Sequence, residues 1–155
     1  TKEIDKNKHI IDLGPEPLSK KFNFKYLNKK ISNIEKNIKN FLMDQKLLSG
    51  LGNIYVNEIL YLCSIYPRKI SKKLNKNERT KVVKNTKITL KRAIDHGGSS
   101  IKDFKGISGN KGNFQQKFMV YGREGLVCKK SSCRGIIKKI YISNRSTFYC
   151  SKCQK

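Results

Sequence analysis

The sequence predicts a mainly α chain, a helical domain followed by a small β-hairpin module. Three observations carry that expectation. Apolar residues recur at helical spacing from Phe22 to Ile94, the period becomes that of strands after Gly125, and four cysteines in two pairs flank the strand-like stretch. With 155 residues the chain can bury a modest core as one domain or two small ones.

Residues 1–21 read as a linker, because they are polar and Leu13-Gly14-Pro15-Glu16-Pro17-Leu18 sets two prolines and a glycine against regular structure. Residues 22–113 form the expected helical domain. Phe22, Tyr26, Leu27 and Ile31 share one face, and Ile34, Ile38, Phe41 and Leu42 repeat the spacing, which suits two short helices. Gly50 and Gly52 interrupt the pattern as a tight turn; it resumes at Ile54, Ile59, Leu60 and Leu62, with Pro67 as its expected stop. Asn75 with Glu78 reads as a capping box opening a long helix through Val82, Val83, Leu90, Ala93 and Ile94, with Gly97 and Gly98 as its C-terminal caps. Ser99 to Gly112 reads as a glycine- and lysine-rich loop. Residues 114–155 are the expected second module: Ile136, Ile137, Ile140, Tyr141 and Ile142, a Ser143-to-Ser146 turn, then Thr147, Phe148 and Tyr149.

Charge points to a partner. Thirty-five Lys and Arg against 11 Asp and Glu give a formal charge of +24, which suits phosphate binding through counterion release. An AT-rich genome would also write abundant Lys, Asn and Ile onto exposed surfaces. No secretory leader pattern and no run of about 18 apolar residues is present, so no membrane partner is expected and the chain reads as soluble and intracellular.

In a reducing compartment, clustered cysteines mean metal rather than disulfides. Cys128-x4-Cys133 and Cys150-x2-Cys153 are two knuckles separated by 16 residues, enough for two short strands and a turn. Four thiolates make a closed tetrahedral site, so one structural zinc ion is expected, and its binding would supply the folding free energy of a ribbon too small to fold alone. Iron is the alternative, but such sites carry glycine after the second cysteine of a knuckle, where Arg134 and Gln154 stand. Cys63, among leucines, reads as core.

Gly50-x-Gly52-Asn53 admits two readings: a turn whose backbone N–H groups and following helix meet an anion, or a plain tight turn with Asn53 as N-cap. The surrounding runs bear on the choice. Leu42-Met43-Asp44-Gln45-Lys46, Gly50-Leu51-Gly52-Asn53-Ile54-Tyr55-Val56-Asn57-Glu58, Phe114-Gln115-Gln116, Val120-Tyr121-Gly122-Arg123-Glu124-Gly125 and Arg145-Ser146-Thr147-Phe148-Tyr149-Cys150 stand in order along the chain. Together they resemble the C-terminal half of bacterial formamidopyrimidine-DNA glycosylases, a helix-two-turn-helix domain followed by a zinc finger.

The resemblance implies base-excision repair of oxidised purines, chiefly 8-oxoguanine and ring-opened formamidopyrimidines, by a glycosylase with AP lyase activity that flips the damaged nucleotide from the duplex. Damaged double-stranded DNA is the implied partner, and a monomer in the bacterial cytoplasm, reaching the nucleoid through DNA, is expected. By resemblance Asn53 and Arg145 clamp phosphates beside the lesion, Lys46 and Gly52 belong to the same DNA-binding surface, and Lys102 with the loop through Phe114 closes over the flipped base. Arg145 also corresponds to a position with a part in the final elimination.

This sequence departs from the family pattern in places. The family's nucleophile is an N-terminal proline beside a glutamate, whereas the chain opens on Thr1 and its Pro15-Glu16 is internal, where the nitrogen is an amide. It therefore reads as a piece of a longer protein, able to bind DNA and unable by itself to cut it. The first knuckle has four intervening residues where many relatives have two, and Glu35 lies in a stretch usually rich in lysine. Phe114-Gln115-Gln116 and the Val120-to-Gly125 run favour the purine branch over the related endonuclease VIII branch. The alternative from another class is a stand-alone, zinc-stabilised nucleic-acid-binding module without catalysis.

Overall fold

The computed structural model describes residues 12–96 and 118–155. Four α-helices precede a two-stranded antiparallel hairpin among these residues. Helix α1 spans Phe24–Ile31, α2 Ile38–Met43, α3 Asn53–Leu62 and α4 Lys76–Asp95, with a 3₁₀ turn at Ser71–Lys73 before α4. Strands β1, Ile137–Ile142, and β2, Arg145–Cys150, complete the described chain. The mainly α reading and the hairpin module match the sequence expectation.

Local chemistry accounts for where the helices start. Asn23 and Asn37 cap α1 and α2, each side chain accepting a backbone N–H from the third residue on. Asn75 and Glu78 form the expected reciprocal capping box on α4. His96 is the C-cap of α4, while Gly97 and Gly98 lie outside the described residues.

Helix α3 ends differently from the sequence reading. Its last residue is Leu62, well before Pro67, and Ser64 takes a left-handed φ of 57°. Ser64 N–H donates to the Tyr61 carbonyl and Ile65 N–H to the Leu60 carbonyl, each at 3.1 Å. That is a Schellman termination with serine where glycine is usual, so the stop carries no glycine for the sequence to reveal.

The main core joins all four helices through Leu27, Ile31, Ile38, Phe41, Leu42, Ile59, Leu60 and Val82. The segment before α1 is docked on it. Gly14 N–H donates to the Gln45 carbonyl (2.8 Å), Ser49 N–H donates to the Pro15 carbonyl (3.1 Å), and Pro17 is buried. Those bonds tie 13–17 to the turn between α2 and α3, so this part of the expected linker forms a strap held in a fixed place.

A second cluster unites Tyr61 of α3 with Val120, Cys128, Cys133, Ile137, Phe148 and Cys150. The hairpin module therefore shares a core with the helical domain. The segment 119–121 is fastened to α3 as well. Buried Glu58 accepts the backbone N–H groups of Met119 (2.5 Å), Val120 (2.9 Å) and Tyr121 (3.1 Å). Burial raises the pKa of this carboxyl, and the three N–H donors and the Lys129 charge oppose the rise.

A methyl group on Gly14 would lie 2.4 Å from the carbonyl carbon of Leu47 and 2.7 Å from the amide nitrogen of Leu48. Backbone cannot yield there as a side-chain tip could. Gly14→Ala is expected to destabilise the chain by about 1–3 kcal/mol, the usual cost of overpacking, in denaturant unfolding. An unchanged midpoint would show that the strap does not contribute to the fold.

Candidate nucleic-acid interface and metal centre

The hairpin places its tip against the start of α3. Residues Ile142 and Arg145 pair across a turn of only Ser143 and Asn144, whose φ values of 50° and 62° give a two-residue left-handed turn. The expected four-residue turn is thus shorter, and Arg145 is the first residue of β2. Arg145 is exposed, and its carbonyl accepts the Thr147 hydroxyl at 3.1 Å.

Four helical side chains hold this tip. Asn40 donates its amide to the Ser143 hydroxyl (3.0 Å), Asn53 donates its amide to the Ser146 carbonyl (2.9 Å), and Asn57 accepts the Phe148 N–H (2.7 Å). Lys39, only 1% exposed, donates its ammonium to the Thr147 hydroxyl (2.5 Å) and the Ser146 carbonyl (3.4 Å). Both acceptors are neutral. Burial, followed by repulsion from Arg145, lowers the Lys39 pKa to about 8.

Gly52, not Asn53, is the N-cap of α3, and it supplies no side-chain cap bond to the first turn. The first backbone N–H groups of α3 thus receive nothing from the capping residue, and the helix dipole adds positive potential at the same end. Gly52 has an ordinary φ of −99°, and a methyl group there would meet nothing within 4 Å among the described residues. The fold itself does not demand glycine at this position.

The Asn53 bond to Ser146 therefore seats the start of α3 against the residue that follows Arg145, and Lys39, Asn40 and Asn57 hold the same strand and turn in roles that sequence reading missed. Asn40 and Asn57 have no signal beyond a polar residue on an otherwise apolar helix. Lys46 stands exposed in the preceding turn, its backbone N–H bonded to the Asp44 carboxylate at 2.9 Å, and is not joined to this cluster among the described contacts. Lys102 and Phe114-Gln115-Gln116 lie outside the described residues.

At the other end of the hairpin the sulfurs of Cys128, Cys133, Cys150 and Cys153 lie within 4.8 Å of one another, in a metal-binding arrangement. Cys133 and Cys150 sulfurs are 3.4 Å apart, and those of Cys128 and Cys153 4.0 Å. A tetrahedral ion with bonds of about 2.3 Å places its sulfurs about 3.8 Å apart, so the donor set fits one cation. Gly135 makes that packing possible, since a methyl group there would sit 2.6 Å from the Cys150 sulfur. Without a cation, burial and the neighbouring thiols push Cys153 up to about 12. Gln154 anchors the second knuckle, accepting Cys150 N–H (2.7 Å) and donating to the Ile65 carbonyl (2.9 Å). Cys63 is buried in the main core, as expected.

Comparison with known proteins settles the family. The model of the formamidopyrimidine-DNA glycosylase H2TH domain matches residues 13–105. The chain belongs to this family. It is 42% identical over its whole length to formamidopyrimidine-DNA glycosylase of Haemophilus influenzae, and 46% identical over 143 residues to that of Histophilus somni. It covers 56% of the former and 52% of the latter, so it spans about half the length of these relatives and corresponds to their C-terminal portion. Among solved structures, the Lactococcus lactis glycosylase in complex with DNA containing a formamidopyrimidine lesion is similar, with a TM-score of 0.83 and 35% identity. That match covers all of this chain and 56% of the other. A complex of the same enzyme with abasic-site DNA matches with a TM-score of 0.83 and 34% identity. Among the described residues no helix is long and apolar enough to cross a membrane.

The Lys39 shift has a sign that can be checked. Its pKa falls from 10.5 to about 8 on folding, so between those values the unfolded chain binds the extra proton and stability rises with pH. From pH 7.5 to 9.5 the parent is expected to gain about 2 kcal/mol relative to Lys39→Met, whose position 39 has no proton to lose. A constant difference in unfolding free energy across that range would contradict the burial of a charged lysine.

Proposed function

We propose that this chain is the DNA-gripping part of a base-excision repair enzyme of the formamidopyrimidine type, a glycosylase with AP lyase activity toward oxidised purines. The observation that carries the proposal is the bond from Asn53, first residue of α3, to the Ser146 carbonyl, which seats the hairpin tip that bears Arg145 against the start of that helix. An exposed guanidinium beside a helix N-terminus is suited to a phosphate, since the fork offers paired donors and the helix end its N–H groups. Open space at Gly52 suits close approach by a ligand backbone.

In this reading Arg145, Asn53 and Gly52 bind phosphates next to a flipped nucleotide, Lys46 adds charge along the same strand, and Lys102 lies in the segment that covers the extruded base. Buried Lys39 is held beneath the tip and adds positive potential to it. The neighbouring solved structures of family members carry lesion or abasic-site DNA, which supports duplex DNA as the partner. The whole protein is read as a monomer acting in the cytoplasm, on the nucleoid.

The four cysteines hold one zinc ion, which supplies folding energy to the ribbon and no open coordination position. Its service to the site is rigidity at the opposite end of β2 from Arg145. Removing the ion with a chelator should release about one zinc per chain, as four thiolates predict, and weaken duplex binding.

Pro15 is within the strap, its nitrogen in an amide bond. In this reading base excision and strand cutting draw on residues from the other half of the relatives' length. A polypeptide of this sequence is expected to bind duplex containing 8-oxoguanine or an abasic site without forming a borohydride-trapped adduct. A trapped adduct would overturn that division of labour.

Two substitutions test the interface. Arg145→Ala should cost about 1–3 kcal/mol of duplex binding, the range for a charge-assisted bond, and lower the salt dependence of log K by about one phosphate contact. Gly52→Ala should change unfolding by no more than the N-cap preference for glycine over alanine, and weaken the same binding. Parent-like affinity of both variants at matched salt would remove the clamp from this surface.

A further inference from the structure

Helix α3 meets the ribbon along one stripe. Asn53, Asn57 and Tyr61 are spaced four residues apart and so stand one above the other on the helix. The first two bond to β2, and the third reaches the metal centre: the Tyr61 hydroxyl is 3.0 Å from the Cys128 sulfur. Tyr61 is fully buried, within a cluster of Val120, Ile137 and Phe148 that phenylalanine would fill equally well. Among the described residues only the contact with sulfur gives the hydroxyl a use. A cysteine bound to a metal has lost its proton, so in the loaded centre the hydroxyl must be the donor.

A second contact comes from the lengthened first knuckle. Lys130, inside the Cys128-to-Cys133 loop, donates its ammonium to the Tyr61 carbonyl and to the Ser64 hydroxyl, both at 2.8 Å. The same ammonium sits 4.6 Å above the Tyr61 ring. Its acceptors belong to the termination of α3, where Ser64 holds the left-handed conformation and where the helix dipole favours a cation. The loop thus folds back over the end of the helix whose ring touches its own cysteine.

We propose that Tyr61 and Lys130 form a clasp joining the metal centre to the C-terminal end of α3, in which the Tyr61 hydroxyl donates to the Cys128 thiolate and makes it a tighter and less reactive ligand. Tyr61 is a positioning residue, and the assignment rests on the metal reading above. A hydrogen bond to a thiolate draws electron density from sulfur, which slows attack on electrophiles, and it orients the ligand before the ion arrives. Outer hydrogen bonds of this kind change metal affinity by about 10- to 100-fold. Because Gly52 and Asn53 open the same helix, the ion would then help fix α3 from its far end.

The test uses Tyr61→Phe in the whole 155-residue chain, loaded with zinc and, separately, with cobalt(II). Competition with a chromophoric chelator should show zinc held at least about ten-fold more weakly than in the parent. N-ethylmaleimide should release zinc faster. In the cobalt form the sulfur-to-metal charge-transfer band should move to longer wavelength, since sulfur relieved of the hydrogen bond gives up an electron more easily. Lys130→Met, which loosens the ring but leaves the hydroxyl, should change zinc affinity less than Tyr61→Phe.

Equal zinc affinity and an identical cobalt spectrum in Tyr61→Phe and parent would overturn the clasp. So would a larger effect from Lys130→Met than from Tyr61→Phe, which would assign the effect to the ring, or complete loss of the cobalt band in Tyr61→Phe, which would make the hydroxyl a requirement of the ribbon's folding and not a tuner of the ligand. A parent chain that binds no metal would overturn the zinc reading and the clasp together.

Discussion

A polar group carried into a protein core must find a partner there, and α3 carries several. Asn57, Glu58 and Tyr61 are all buried on a helix whose other buried residues are Ile, Val and Leu. Each is satisfied by chain outside the helical domain: Asn57 by the Phe148 N–H, Glu58 by three consecutive N–H groups of 119–121, and Tyr61 by Cys128. An unmade bond at any of these would cost about 1–3 kcal/mol, and apolar packing between ribbon and helix could slide without them. They set the register between the two modules. Everything proposed for the Arg145 tip depends on that register.

The tip is held by a device that works against stability. A buried ammonium bonded only to neutral oxygens pays a desolvation cost, which the depressed Lys39 pKa records. Two consecutive non-glycine residues in the left-handed region add strain at Ser143 and Asn144. A hairpin free of functional demands would carry glycine in the turn and an apolar residue beneath it. The arrangement makes sense if the surface must present positive charge at a fixed height for an anion, since Lys39 then adds potential from below while Arg145 supplies the contact.

Glycines divide along the same line. Gly14 and Gly135 are required by what surrounds them, backbone in one case and sulfur in the other. Gly50, with φ of 90°, is required by its own conformation. Gly52 is required by neither among the described residues, and serves as the N-cap of α3, a position that favours glycine over alanine. From the sequence these four look alike, because a glycine records that a side chain is unwelcome without recording what excludes it.

Much of the architecture was legible in local pattern. The Asn75 and Glu78 capping box, most of the helical stripes and the strand pair depend on residues a few positions apart and appear where the sequence places them, whereas Ile94 is exposed and Ile34 lies between helices. The four cysteines were legible because a tetrahedral thiolate site demands two close pairs at a distance set by a hairpin, whatever surrounds it. Ordered motifs likewise identified the family. Long-range satisfaction was not legible. That Lys39 is buried under Thr147, that the strap docks through Gly14 and that Tyr61 reaches Cys128 are decided by chain segments far apart in sequence. Periodicity reports which face of an element is apolar; only tertiary packing determines which distant atom each buried polar group will meet.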